Sequence, residues 1–210
     1  LNIDQSMFGT LFERGLGPAM RTQLGANYTG PRTIGQLIAP VVTRPLAKEW
    51  EAAKLVIAAA IEKYHAGGKG SQSAYKTAQE TFLLYIERLK NFRVLDPACG
   101  SGNFLYLALR TLKDLEHRAN LEAEAIGLHR QLTIEVSPAN VLGIELNSYA
   151  AELARVTVWI GEIQWMLKHG YDIRRNPILS NLNHIECRDA ILTFSAAGAS
   201  ASEPNWPACD

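Results

Sequence analysis

The chain has 210 residues, 47% of them hydrophobic and 20% charged, which is enough to bury one ordinary core and too apolar for a disordered or collagen-like polymer. Its 21 basic and 21 acidic side chains balance, so no global field advertises nucleic acid or a membrane, and any charged docking surface has to be local. Cys99, Cys187 and Cys209 show neither zinc-site spacing nor pairing, which reads as reduced thiols in a cytoplasmic protein with no metal. The longest strongly apolar run, from Leu55 to Ile61, falls far short of the roughly 20 residues of a membrane span.

In chain order, Met7, Phe8, Leu11 and Phe12 recur at helical spacing between Asp4 and Leu16, and a Gly/Pro break follows. A second helical pattern starts at Thr33 with Ile34, Leu37, Ile38 and Val41, is interrupted near Pro45, and resumes from Ala47 to Tyr64. Gly67, Gly68 and Gly70 end it. Ser71 opens a further helix with Phe82, Leu83, Ile86 and Leu89 on its apolar side. Residues 1–90 therefore read as a helical region. From Phe92 the pattern changes to short apolar runs alternating with helices: Val94-Leu95, a helix from Asn103 to about Glu124, Val141 to Ile144, another helix, and a run around Ile185. Strand-helix alternation predicts an α/β unit over 91–210, part of a doubly wound parallel sheet with right-handed crossovers. Residues 195–202, written in Ser, Ala and Gly, read as a loop. Leu1 in place of a starting Met, and the ending at Asp210, read as cuts in a longer polypeptide.

The segment from Val94 to Leu105, VLDPACGSGNFL, is a strand that ends in Asp96 and turns through Gly100 and Gly102 into a helix. Ligands of doubly wound sheets sit at the carboxyl ends of strands, and bare glycine backbone lets a ligand approach closely. The position three after Gly102 is Leu105, and no phosphate loop occurs, so a pyrophosphate ligand is disfavoured. A carboxylate at the turn would repel phosphate and attract an ammonium group, which S-adenosylmethionine carries. Glu145 ends the next apolar run and can accept both hydroxyls of a ribose, while Asp189 ends the third and can accept from an adenine amino group. A lone acid at a strand tip is ordinarily a solvated cap; three in successive α/β units are harder to dismiss.

DPACGSGNFL resembles the cofactor motif of DNA amino-methyltransferases, above all the adenine-N6 group of restriction-modification systems. GIELNSYAAELARVTVWIGEIQW, from Gly143 to Trp165, is similar to that family's second motif and following helix, and Asp189-Ala190 to its third. Residues 23–31, QLGANYTGP, resemble the Tyr-Thr-Pro element that closes over the methionine moiety, with Gly30 where Pro or Ser is common. A Tyr-Thr element ahead of the glycine turn is the gamma-class order, and MFGTLFERGL, from Met7 to Leu16, resembles the lead-in of large single-chain Type II enzymes. The resemblance implies a class I, Rossmann-like fold truncated within its sheet and an S-adenosylmethionine site. That site would comprise Tyr28, Thr29, Asp96, Pro97, Ala98, Cys99, Gly100, Gly102, Asn103, Phe104, Glu145, Leu146, Asp189 and Ala190. It also implies contact with DNA through parts of the parent protein beyond this chain, and a fused or associated restriction nuclease.

The family's catalytic Asn-Pro-Pro-Tyr/Phe loop does not occur; the one Asn-Pro, Asn176-Pro177, continues with Ile178 and precedes the third motif. No catalytic residue is therefore expected in this chain, and Trp206 to Asp210 resembles the approach to that loop. Two other readings stay open: a non-catalytic binding or assembly module, and a methyltransferase acting on protein or RNA. Cys99 has no histidine nearby in sequence and reads as a small packing residue rather than a nucleophile. His184 and Cys187 are too few to hold a metal. His65, His117, His129 and His169 read as surface residues, and Trp159 and Trp165 as packing.

Overall fold

The computed structural model describes residues 29–129, 133–171 and 182–192. The helix expected over 4–16, Tyr28, Asn176-Pro177, the loop over 195–202 and the segment 206–210 lie outside the described residues. Helix α1 (Pro31–Ile38) starts two residues ahead of Thr33, because Pro31 fits the first turn, where its missing N–H would be unpaired anyway. Instead of breaking near Pro45, the chain widens into a π-helical stretch, Ala39–Thr43, and runs on into α2 (Arg44–His65). Pro40 and Pro45 each withdraw a backbone donor from this region, and a widened turn accommodates them without ending the helix.

Gly67, Gly68 and Gly70 all take positive φ, and the chain reverses through them into α3 (Ser71–Asn91). The α2–α3 hairpin closes over aromatic rings: Trp50 meets Phe82 edge-on at 6.2 Å and Tyr85 at 5.0 Å, and Tyr85 Oη donates to the Leu46 carbonyl. Leu83, expected on the apolar side of α3, is half exposed, and Leu84 more so.

Three short parallel strands follow, β1 (Val94–Asp96), β2 (Val141–Glu145) and β3 (Ile185–Cys187), in the order β1-β2-β3. Asp96 pairs with Gly143 and Glu145 with Cys187, so the acid-bearing ends lie side by side. Helix α4 (Asn103–Ile126) connects β1 towards β2, and α5 (Ser148–Lys168) leaves β2. Among the described residues the architecture is mostly helical, with a small three-stranded parallel sheet. Asn140 joins the helical part to the sheet: its amide nitrogen donates to the carbonyls of Leu89, Lys90 and Phe92, and its oxygen accepts from Ser137 N. Its side chain thus adds a donor to carbonyls at the end of α3 that also accept from Phe92 N or from Arg93. One apolar cluster runs from Ile34 in α1 to Ile185 in β3.

Two polar assemblies tie the helices. Inside, Lys113 of α4 and Glu162 of α5, both almost wholly buried, pair at 2.9 Å beneath the Trp165 ring. Beside them Glu116 accepts from the amides of Glu135 and Val136. At the surface, Glu122 of α4 accepts from Trp50 Nε1, Lys54 Nζ and Arg118 Nε at 2.8, 2.8 and 2.6 Å. Partial burial opposes ionisation of Glu122, but these three donors outweigh it and hold its carboxyl down at about 2. The unfolded chain ionises such a group near about 4.3. Glu122 therefore adds stability that is complete above that value and is lost as pH falls towards about 2. Glu122→Gln is expected to lower the thermal midpoint at pH 7 by the equivalent of about 1–2 kcal/mol, after allowance for solvent screening, and to flatten the acid limb between about pH 4 and pH 2. Parallel melting curves of the two proteins across that range check it.

His65 and His129 are exposed, whereas His117 and His169, expected at the surface, are half-buried in a ring cluster. His169 stacks on Trp165 at 4.2 Å, Tyr171 stacks on it at 5.5 Å, and His117 meets all three edge-on. The buried Trp165 ring supplies a surface against which two imidazoles are better packed than solvated. Trp165 itself is core, with Nε1 donating to Asp114.

Candidate functional site

The turn between β1 and α4 is built from opposite uses of its two glycines. Gly100 has φ +53, and a Cβ placed on it would project into open space. Gly102 has φ +84, and a Cβ on it would sit 2.8 Å from Ala154 Cα and 3.0 Å from the Ala154 carbonyl oxygen. Gly102 therefore seats the turn on α5, while Gly100 leaves its outer side free for something else to approach. Cys99, between strand and glycines, donates its amide to the Ile144 carbonyl at 3.0 Å. Its side chain is buried in the space left by Gly143, where a Cβ would lie 2.9 Å from the sulfur. Burial first, and then the charges of Asp96 and Glu145, push the Cys99 thiol up to about 12, so it is not poised for attack.

Two carboxylates flank this turn. Asp96, half-buried at the end of β1, accepts from Ala98 N through Oδ1 at 3.1 Å. Burial pushes its carboxyl up, the Ala98 amide opposes this, and the neighbouring Glu145 charge adds to the rise. Such a site gains from a cation. Glu145, at the end of β2, accepts from Gly100 N through Oε2 at 2.8 Å and from Asn147 N through Oε1 at 2.9 Å. A carboxylate oxygen has two lone-pair sites, so each still has capacity for one further donor. Asn147 caps α5 by accepting from Ala150 N.

The third acid is adjacent through the sheet, since Arg188 N donates to the Glu145 carbonyl at 3.0 Å and Asp189 follows it. Asp189 Oδ1 accepts from the amides of Ile191 and Leu192, which hold its carboxyl below the usual range and fix its direction. Arg155 of α5 donates to the Ile185 carbonyl at 2.6 Å and braces β3.

The structure thus brings together Asp96, Cys99, Gly100, Gly102 and Glu145, with Asp189 and Ala190 on the next strand end. Pro97, Ala98 and Leu146 are exposed along the same rim, and Asn103 and Phe104 open α4 behind the turn, Phe104 packed on the core. Thr29 is exposed just ahead of α1, and its expected partner Tyr28 lies outside the described residues. Gly143, Asn147 and Ala154 support the site and were missed by sequence reasoning. A glycine inside a strand was the available signal for Gly143.

Comparison with known proteins gives a class first: these strand tips and the turn between them fall within a DNA-methyltransferase domain. The matching family model is that of the MmeI DNA-methyltransferase domain, over residues 72–194, and the chain belongs to this family of restriction-modification methyltransferases. The chain is 26% identical over 162 residues to DNA methyltransferase A of Bacillus subtilis, covering 77% of this chain and 16% of that protein. It is 29% identical over 92 residues to a Methanocaldococcus jannaschii protein named as a type II restriction enzyme and methyltransferase, covering 42% of this chain and 8% of that one. A solved structure of the Type IIL restriction-modification enzyme MmeI in complex with DNA superimposes with a TM-score of 0.64 at 27% identity, over 85% of this chain and 22% of that one. The chain thus spans less than a quarter of the length of each of these relatives.

Proposed function

We propose that this chain forms the S-adenosylmethionine-binding part of a class I, Rossmann-like DNA methyltransferase that modifies adenine at N6 within a restriction-modification or phage-defence system. The observation that carries this reading is the open-sided Gly100 turn held between Asp96 and Glu145 at neighbouring parallel strand ends, in a chain of this family. The helical region over 1–90 and the sheet-bearing region over 91–210 would be its two parts.

The donor set suits that cofactor. Asp96, whose carboxyl burial makes costly to ionise, would take the methionine ammonium. The free lone pairs of Glu145 would accept the ribose hydroxyls, and Asp189 the adenine amino group. Backbone from Pro97 to Gly102, with Asn103, Phe104, Leu146 and Ala190, would line the approach, and Tyr28-Thr29 would close it. When bound, S-adenosylmethionine supplies an electrophilic methyl on a sulfonium that is already a good leaving group. The work left to these residues is orientation. A base modified on its edge must leave the duplex, so the target adenine would be flipped beside this rim by parts of the parent protein beyond the chain. The amine-orienting Asn-Pro-Pro-Tyr/Phe loop, the DNA-binding surface, any attached nuclease and the cytoplasmic setting belong to that whole protein.

Titration calorimetry tests the reading. The chain is expected to bind S-adenosylmethionine, and Asp96→Ala is expected to weaken binding about 10- to 100-fold while leaving the unfolding free energy within about 0.5 kcal/mol of the parent. Absence of binding, or binding indifferent to Asp96, would point instead to an assembly module.

A further inference from the structure

Glu145 reaches from the end of β2 to the backbone of the glycine turn. Its carboxylate accepts Gly100 N, 45 residues away in sequence, at 2.8 Å, and Asn147 N at 2.9 Å. The turn is pinned on both sides of Gly100, by Cys99 N on the Ile144 carbonyl and by Gly102 against Ala154. Gly100 itself has open space around the position of a Cβ and a positive φ that glycine adopts and leaves freely. Among the described residues, the Glu145 carboxylate is what accepts its amide.

We infer that Glu145 is a positioning residue that holds the Gly100 turn in its ligand-accepting shape before any ligand arrives. The inference takes from the proposed function only that this turn is the ligand's seat, and it adds a role distinct from the ribose contact. Ordering a glycine pair costs more conformational entropy than ordering any other residues. If folding meets that cost through Glu145, ligand binding does not have to. The same carboxylate also ties the turn to Asn147, the cap of α5, so the turn, β2 and the start of α5 form one preformed unit.

Amide hydrogen exchange, followed by NMR on the ligand-free 210-residue chain, tests this directly. The Gly100 amide is expected to exchange about tenfold or more slowly relative to an unstructured peptide, and Glu145→Ala to remove that protection. The Cys99 amide, bonded to the Ile144 carbonyl, should stay protected in both proteins. The two amides face different carboxylate oxygens, so Glu145→Gln turns one acceptor into an NH2 donor and should keep protection at Gly100 or at Asn147 and lose it at the other. Gly100 exchanging at the free-peptide rate in the parent chain overturns the inference, as does unchanged protection in Glu145→Ala with Cys99 still protected. If Glu145→Ala fails to fold, the parent and the Gln variant decide the matter: protection kept at both amides of the Gln variant would overturn it. Because no ligand is present, failure of the latch and failure of cofactor binding show separately.

Discussion

Gly102→Ala is expected to destabilise the chain by about 3 kcal/mol, seen as a lower urea midpoint with an unchanged slope. A non-glycine residue held in the left-handed region costs about 1–2 kcal/mol, and overpacking against rigid backbone adds about 1–3 kcal/mol. Both apply, since φ is +84 and the new Cβ would meet Ala154 Cα at 2.8 Å and its carbonyl oxygen at 3.0 Å. That neighbour is helix backbone and cannot step aside like a side-chain end. Gly100→Ala supplies the contrast. Its Cβ meets nothing, so the stability cost should stay near about 1 kcal/mol from backbone strain alone. The same methyl occupies the side from which a ligand would approach, and calorimetry should show cofactor binding lost from a folded protein. Equal destabilisation by the two substitutions would contradict the division of labour between the two glycines.

Lys113→Met is expected to cost about 3–5 kcal/mol, the usual penalty for leaving one member of a buried pair without its counter-charge. Lys113 is fully buried, and its ammonium lies 2.9 Å from Glu162 and 4.9 Å from the centre of the Trp165 ring. Burial raises the Glu162 carboxyl, and Lys113 is what opposes that rise. Without the lysine, the folded-state value climbs further above the unfolded one, so the folded form holds its proton more tightly. Stability of the variant should then fall as pH rises from 5 towards 8, the reverse of the Glu122 effect. Adding Glu162→Leu should recover most of the loss and reduce the pH dependence to the part carried by Glu116, whose carboxyl is likewise raised by burial and held down by Lys113. Unfolding curves of the single and double variants at the two pH values measure both.

The parts of the fold legible in the sequence are those governed by local rules. Positive φ at Gly100 and Gly102, the glycine reversal before Ser71 and the apolar strand runs all follow from residue type and near neighbours. Of the candidate site, the positions were legible: Asp96 and Glu145 close β1 and β2, and Asp189 follows just after β3, because strand-helix alternation puts them there. What escaped depends on partners far along the chain. Nothing local to Glu145 indicates that it bonds the amide of Gly100, and nothing near Gly143 announces that Cys99 and Leu105 fill the space its missing Cβ leaves. Lys113 and Glu116 have the composition of a solvated helix face. Their spacing with Leu109 and Asn120, however, puts them on the buried side of α4, a periodicity that charge alone obscures. Pro45 misled for the opposite reason: proline breaks a regular helix interior, but the preceding turn widens into the π-helical stretch Ala39–Thr43, which takes up the lost donor without ending the helix.

Asn140 places one nitrogen before three carbonyl oxygens, those of Leu89, Lys90 and Phe92. Exchange of that nitrogen for oxygen, as hydrolysis of the side-chain amide produces, changes the shape of the molecule hardly at all. It would nevertheless turn an attraction shared among three dipoles into a repulsion felt by all of them, at the place where the helices are fastened to the sheet. The joint is therefore sensitive to a chemical change that a purely steric view of packing would not register.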